Sequence, residues 1–127
     1  MMTEQLTPQD LTVEVISSFL PEHSSDSEGR YAFSYTIAIT NLGLCPAHLV
    51  SRRWMIEDGT GSEKLETGGD DEGLWILPGE TLAWTKGAML LSPVATLFGE
   101  CQVAAEDGSK FALELPLYTL SIPRTLH

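Results

Sequence analysis

Tyr31–Asn41, YAFSYTIAITN, decides the fold. Tyr31, Phe33, Tyr35, Ile37 and Ile39 alternate with Ala32, Ser34, Thr36, Ala38 and Thr40. Successive side chains of a β-strand point to opposite faces, so a strand puts every large apolar group on one side and every small or polar one on the other. A helix would scatter them. Burying the five large side chains contributes on the order of 10 kcal/mol, an upper bound because an unfolded chain already hides part of that area. A slip of one residue would turn the whole set to water, so this strand fixes the register of its neighbours.

Outward from it, the chain reads as further strands separated by turns. Leu11, Val13, Val15 and Phe19 form a first alternating run that ends near Pro21, and PEHSSDSEGR is a loop rich in residues that bond their own backbone. NLGLCP, residues 41–46, closes the Tyr31 strand. In HLVSRRWMIED, residues 48–58, Arg52 shares a parity with Val50, Trp54 and Ile56. Either a bulge near Arg52 and Arg53 re-aims the side chains, or the Arg52 stem packs inward with its guanidinium reaching a carboxylate at the rim. Asp58-Gly59-Thr60-Gly61 is a turn, residues 62–67 a short charged edge strand, and TGGDDEGLWILPGE, residues 67–80, a loop ending in the Pro78-Gly79 reversal. Leu82 and Trp84 mark another strand, as do Leu97, Cys101 and Val103 around Gly99. Asp107-Gly108 is a hairpin turn into the Phe111–Leu117 alternation, and a short extended tail follows.

About seven strands with turn signals between them, and no sustained helical period, predict an all-β fold: a two-sheet antiparallel sandwich with Trp54 and Trp84 in the inter-sheet core. The 127 residues fit one domain over 11–127, preceded by a flexible lead-in over 1–10. No apolar run is long enough for a transmembrane helix, and the start lacks the basic and apolar regions of a signal peptide, so the expected compartment is the cytoplasm. Two cysteines, Cys45 and Cys101, are too few for a disulfide scaffold and are expected as buried thiols. Eighteen acidic against seven basic residues give a net charge of -11. So acidic a chain repels nucleic acid and anionic membrane, and suits solubility, cations or a basic protein partner.

EGRYAFSYTIAITN at 28–41, LVSRRW at 49–54, LPGE at 77–80 and LPLYTLSIP at 115–123, in that order, resemble the ApaG family of small bacterial proteins. The resemblance covers nearly all of the chain from Leu11 onward. It implies a fold like immunoglobulin and fibronectin type III domains. It also implies an association with cobalt tolerance and magnesium efflux, without a defined biochemical activity; the related eukaryotic domains look like interaction modules on F-box substrate adaptors. Many members carry a G-x-G-x-x-G loop ahead of LPGE, for which nucleotide or pyrophosphate binding is the implied role. Here that loop reads Glu66-Thr67-Gly68-Gly69-Asp70-Asp71-Glu72-Gly73, which leaves Gly68 and Gly69 as the phosphate candidates. An all-β chain offers no helix N-terminus behind them, and each neighbouring carboxylate repels phosphate by about 1 kcal/mol at roughly 4 Å in water.

Asp70, Asp71 and Glu72 are instead the candidate ligands for a weak, wet Mg²⁺ site, since Mg²⁺ keeps several waters and uses one or two carboxylates. A calcium loop starting at Asp58 fails at its twelfth position, Gly69, where a bidentate Glu is required. His23, His48 and His127 have no pairing that suggests zinc or cobalt, and no Gly-x-Ser-x-Gly elbow is present. No bound cofactor is expected. The reading is therefore a non-enzymatic binding domain that engages a protein partner as monomer or homodimer, with Arg52 and Arg53 as candidate anchors for an acidic partner; the alternative is a Mg²⁺-dependent nucleotide binder. For the arginine pair, one structural ion pair beside one solvated Arg is the competing role.

Overall fold

A computed structural model describes residues 5–60, 63–69 and 74–123, with the backbone alone considered for 63–66 and 68–69. The described residues form nine strands: β1 Leu11–Phe19, β2 Tyr31–Asn41, β3 Ala47–Glu57, β4 Glu63–Gly69, β5 Trp75–Ile76, β6 Thr81–Leu90, β7 Val94–Ala105, β8 Lys110–Glu114 and β9 Tyr118–Ser121. One antiparallel sheet runs β1-β2-β6. The other runs β4-β3-β7-β8, with β5 sharing the β4 side of β3 and β9 sharing the β8 side of β7. Two outer lanes of the larger sheet are thus each split in two. That accounts for more strands than about seven: β5 is a two-residue pairing inside the stretch read as loop, and the tail forms β9 on its own sheet.

The Tyr31 strand behaves as its alternation requires. Tyr31, Phe33, Tyr35, Ile37 and Ile39 are all buried, and β2 sits between β1 and β6, so its register sets both pairings. Trp54 and Trp84 meet edge to face between the sheets, with ring centroids 5.6 Å apart. Packing also begins ahead of Leu11. Leu6 lies in the core cluster and Pro8–Asp10 make a turn of 3-10 helix whose Asp10 carboxylate accepts from the Thr7 amide, so residues 5–10 of the lead-in are folded onto the domain.

A single extra residue shifts the inward parity within β3. Leu49 pairs with Val103 but Ser51 with Gln102, which makes Val50 the bulge, two residues before Arg52. Ahead of it the buried positions are Ala47 and Leu49; beyond it they are Trp54 and Ile56. Opposite Trp54 stands Gly99 at φ +153, where a Cβ would come within 2.3 Å of the Arg53 carbonyl oxygen. Only glycine fits that backbone and that approach. The Asp-Gly hairpin forms as read: Gly108 has φ +90, and the Asp107 carboxylate accepts from the Ser109 amide and hydroxyl, which lowers its pKa.

Candidate functional site

Strand alternation sends the two candidate arginines to opposite faces, and the bulge ahead of them makes Arg52 the inward one. Arg52 pairs with Cys101 and turns inward, placing its guanidinium 5.3 Å from the centre of the Trp84 ring on the facing sheet. A bulge and an inward Arg52 stem are thus both present, and the guanidinium lies against an aromatic face where a carboxylate at the rim was expected. Burial pushes the Cys101 thiol up to about 11, while the nearby Arg52 charge pulls the other way and Glu100 adds to the rise. Arg53 is exposed on the outer face, opposite Glu100. Among the described residues no carboxylate lies within ion-pair distance of it. Arg52 and Arg53 thus do not form one basic anchor.

Gly68 pairs with Arg52 and Gly69 with Ser51, so these glycines end the edge strand β4 and are not part of a loop. Their extended backbone alternates its amides toward and away from β3, unlike a phosphate cradle whose successive amides converge. Asp70, Asp71 and Glu72 lie outside the described residues. Asp58, the first position of the rejected calcium loop, is buried and accepts from the Thr60 amide and hydroxyl and from the Leu91 amide. No described helix is long and apolar enough to cross a membrane.

What the structure does bring together is an apolar end. Asn41, the last residue of β2, is fully buried and ties two loops into one body. Its Nδ2 donates to the carbonyls of Cys45 and Ile76, each at 2.8 Å, and its Oδ1 accepts from the Gly43 amide at 2.9 Å. Its backbone amide donates to the Glu80 carbonyl and its own carbonyl accepts from Gly79, inside the Leu77–Glu80 turn. That turn is closed by Glu80 N–H to Leu77 O, and the Glu80 carboxylate accepts in return from the Leu77 amide. The loops so fixed carry Leu42, Leu44 and Leu77 at 67%, 74% and 48% exposure. Trp75, 40% exposed on adjacent β5, stacks on His48 with centroids 4.8 Å apart. A depression of about 420 Å³ lined by Trp75, Ile76, Glu80, Thr81 and Leu82 opens beside them.

Sequence reasoning passed over these residues because it read NLGLCP and LPGE only as turns. The available signal was compositional: a turn gains nothing locally from Leu42, Leu44 or Leu77, whereas Gly, Pro and Asn have a backbone reason to be there. Elsewhere, two shallow grooves of about 430 and 230 Å³ meet on the outer face at Phe98, Gly99 and Glu100, flanked by Arg53 on one side and Glu114 on the other.

Two sheets closed over one core, with exposed apolar residues carried on end loops, define a small β-sandwich domain of the binding type. The chain belongs to the ApaG family: the ApaG domain model matches residues 21–105. It is 42% identical over 119 residues to Protein ApaG of Aromatoleum aromaticum, covering 92% of this chain and 94% of that one, and 42% identical over 120 residues to Protein ApaG of Xanthomonas axonopodis pv. citri, covering 91% and 92%. A crystal structure described as the putative ApaA protein from Bordetella pertussis superposes with a TM-score of 0.79 at 38% identity, covering 91% of this chain and 96% of that one.

Proposed function

We propose that this chain is a non-enzymatic protein-interaction domain that docks its partner through the Leu42, Leu44, Trp75 and Leu77 end, and that it acts in magnesium and cobalt homeostasis through that partner. The observation that carries the reading is the exposure of four large apolar side chains, three on loops tied together by buried Asn41 and Trp75 on adjacent β5. Exposed apolar residues scattered singly are ordinary, but a cluster on preorganised loops suits a contact surface that loses little entropy on binding. The net charge of -11 favours a partner with basic residues around its own apolar anchors.

The test is affinity capture from cell extract with the parent and a Leu42→Ser/Leu44→Ser variant, beside a Glu14→Gln control on β1. A stoichiometric partner retained by the parent and control and lost by the double variant supports the proposal. Equal capture by all three, or no stoichiometric partner in repeated captures, overturns it. The same variants, returned to a strain lacking the chain, should separate cobalt tolerance in the same order.

A further inference from the structure

The chain passes from the larger sheet to the smaller one through the Leu77–Glu80 turn, and the depression of about 420 Å³ lies at that crossing. It is lined by Trp75 and Ile76 of β5, by Glu80, and by Thr81 and Leu82 of β6. Its one ionisable group is the Glu80 carboxylate, and that group is already oriented. Glu80 Oε1 accepts from the Leu77 amide at 2.9 Å, while Oε2 has no partner among the described residues. The indole beside it is oriented as well. Trp75 lies 14° from parallel with the His48 ring, which covers one of its faces; among the described residues no second ring and no cation covers the other, and the residue is 40% exposed. The Thr81 hydroxyl is engaged by Thr40 at 2.8 Å, which leaves the carboxylate and the indole as the groups free to recognise something.

We infer that this depression receives an arginine side chain of the protein partner, its guanidinium laid on the open face of Trp75 and donating to Glu80 Oε2, its methylene stem along Leu82. The inference rests on the docking reading and names what the partner presents there. Charge makes the first selection. A carboxylate with no base among the lining residues, on a chain of net charge -11, attracts a cation and repels phosphate, so the exposed ring does not serve a nucleotide. The ring makes the second, since an aromatic face attracts a cation within about 6 Å of its centre. Shape decides between the two basic side chains. A guanidinium is flat and weakly hydrated, so it stacks on an indole and still donates in its own plane to a carboxylate. An ammonium is a compact, strongly hydrated point charge that must shed water to touch the ring. Because Trp75 is held by His48 and Glu80 by the Leu77 amide before anything binds, little side-chain entropy is lost on engagement.

The probe is the peptide acetyl-Leu-Arg-Leu-Gly-amide, titrated into isotope-labelled protein and followed by NMR, beside the same peptide with lysine or with citrulline, the neutral isostere, in place of arginine. The arginine peptide is expected to shift the Trp75 indole Nε1–H and the Leu77 amide saturably, the latter because the carboxylate it donates to takes a second donor. Affinity should fall about threefold or more for the lysine peptide, for the citrulline peptide, and for the arginine peptide with Glu80→Gln, which keeps an oxygen for the Leu77 amide. Trp75→Leu should erase the preference for arginine over lysine, and Glu14→Gln on β1 should bind like the parent. No shift at Trp75 and Leu77 with millimolar arginine peptide overturns the inference, as does equal affinity for the arginine peptide and either of the other two, or parent-like affinity in Glu80→Gln. Capture from extract separates this inference from the docking reading. A partner lost by Leu42→Ser/Leu44→Ser but held equally by the parent and Glu80→Gln overturns the arginine alone, whereas arginine-selective binding with no stoichiometric partner overturns the docking reading and leaves the guanidinium site standing.

Discussion

Replacing Asn41 by Ala removes three hydrogen bonds with one substitution. The Cys45 and Ile76 carbonyls lose the Nδ2 donor at 2.8 Å, and the Gly43 amide loses its acceptor at 2.9 Å. A hydrogen bond nets about 1 kcal/mol, and a buried group left without a partner costs about 1–3 kcal/mol. The Ile76 carbonyl lies on the buried side and the other two groups are partly buried, so the expected loss is about 3–5 kcal/mol, a large fraction of the roughly 5–15 kcal/mol that holds a domain together. Asn41→Asp sharpens the test. It keeps the volume and the acceptor for Gly43, but faces two carbonyl oxygens with a third oxygen and buries a charge, so at neutral pH it should cost at least as much as the alanine variant. Urea unfolding at fixed pH reads both, with an unchanged m-value showing that the exposed surface is the same. A loss under about 1 kcal/mol for Asn41→Ala, or a smaller loss for Asn41→Asp than for Asn41→Ala, would refute the donor role and with it the rigidity of the apolar end.

Trp54→Ala, at a position 1% exposed and packed on Trp84, should cost about 3–5 kcal/mol in the same urea assay; an unchanged midpoint would remove Trp54 from the core. Gly99→Ala forces a Cβ against the Arg53 carbonyl at a φ only glycine tolerates, so a loss of about 3 kcal/mol or more is expected; a variant as stable as the parent would mean that β7 is free to shift away from β3. For Cys101 the sign follows from proton counting. An unfolded thiol ionises near pH 9 and the folded one at about 11, so between these values the folded state holds one more proton and stability falls as pH rises. The loss approaches about 2–3 kcal/mol above pH 11 and is absent below pH 8. Cys101→Ala should flatten that part of a stability–pH curve, and a slope equal to the parent's would assign it to other groups.

The parts of the fold legible in the sequence are those that a short run of residues determines alone. The β2 alternation, the Asp107-Gly108 turn and the Pro78-Gly79 reversal depend on neighbours within a few positions, and each stands where it was read. The Val50 bulge depends on two strands at once, since only Leu49 against Val103 and Ser51 against Gln102 reveals the extra residue. From the sequence the bulge and the inward Arg52 looked like alternatives, because the aromatic face that receives the guanidinium comes from β6 on the other sheet. The apolar end was hidden for a related reason. Leu42, Leu44 and Leu77 sit in segments whose turn residues dominate the local signal, and only the bonds of Asn41 show that the two turns are tied together.

Val50 acts on β3 as an inserted base acts on a reading frame. Upstream, odd-numbered residues face the core; downstream, even-numbered ones do. The two halves of the strand are therefore independent texts: the Ala47–Leu49 half belongs to the apolar end and the Arg52–Ile56 half to the tryptophan core. Loss of this one residue would shift the frame of one half against the other, turning either Trp54 and Ile56 or Ala47 and Leu49 toward water. A change of length within β3 therefore costs core burial, whereas one in the loops at its ends leaves both frames intact.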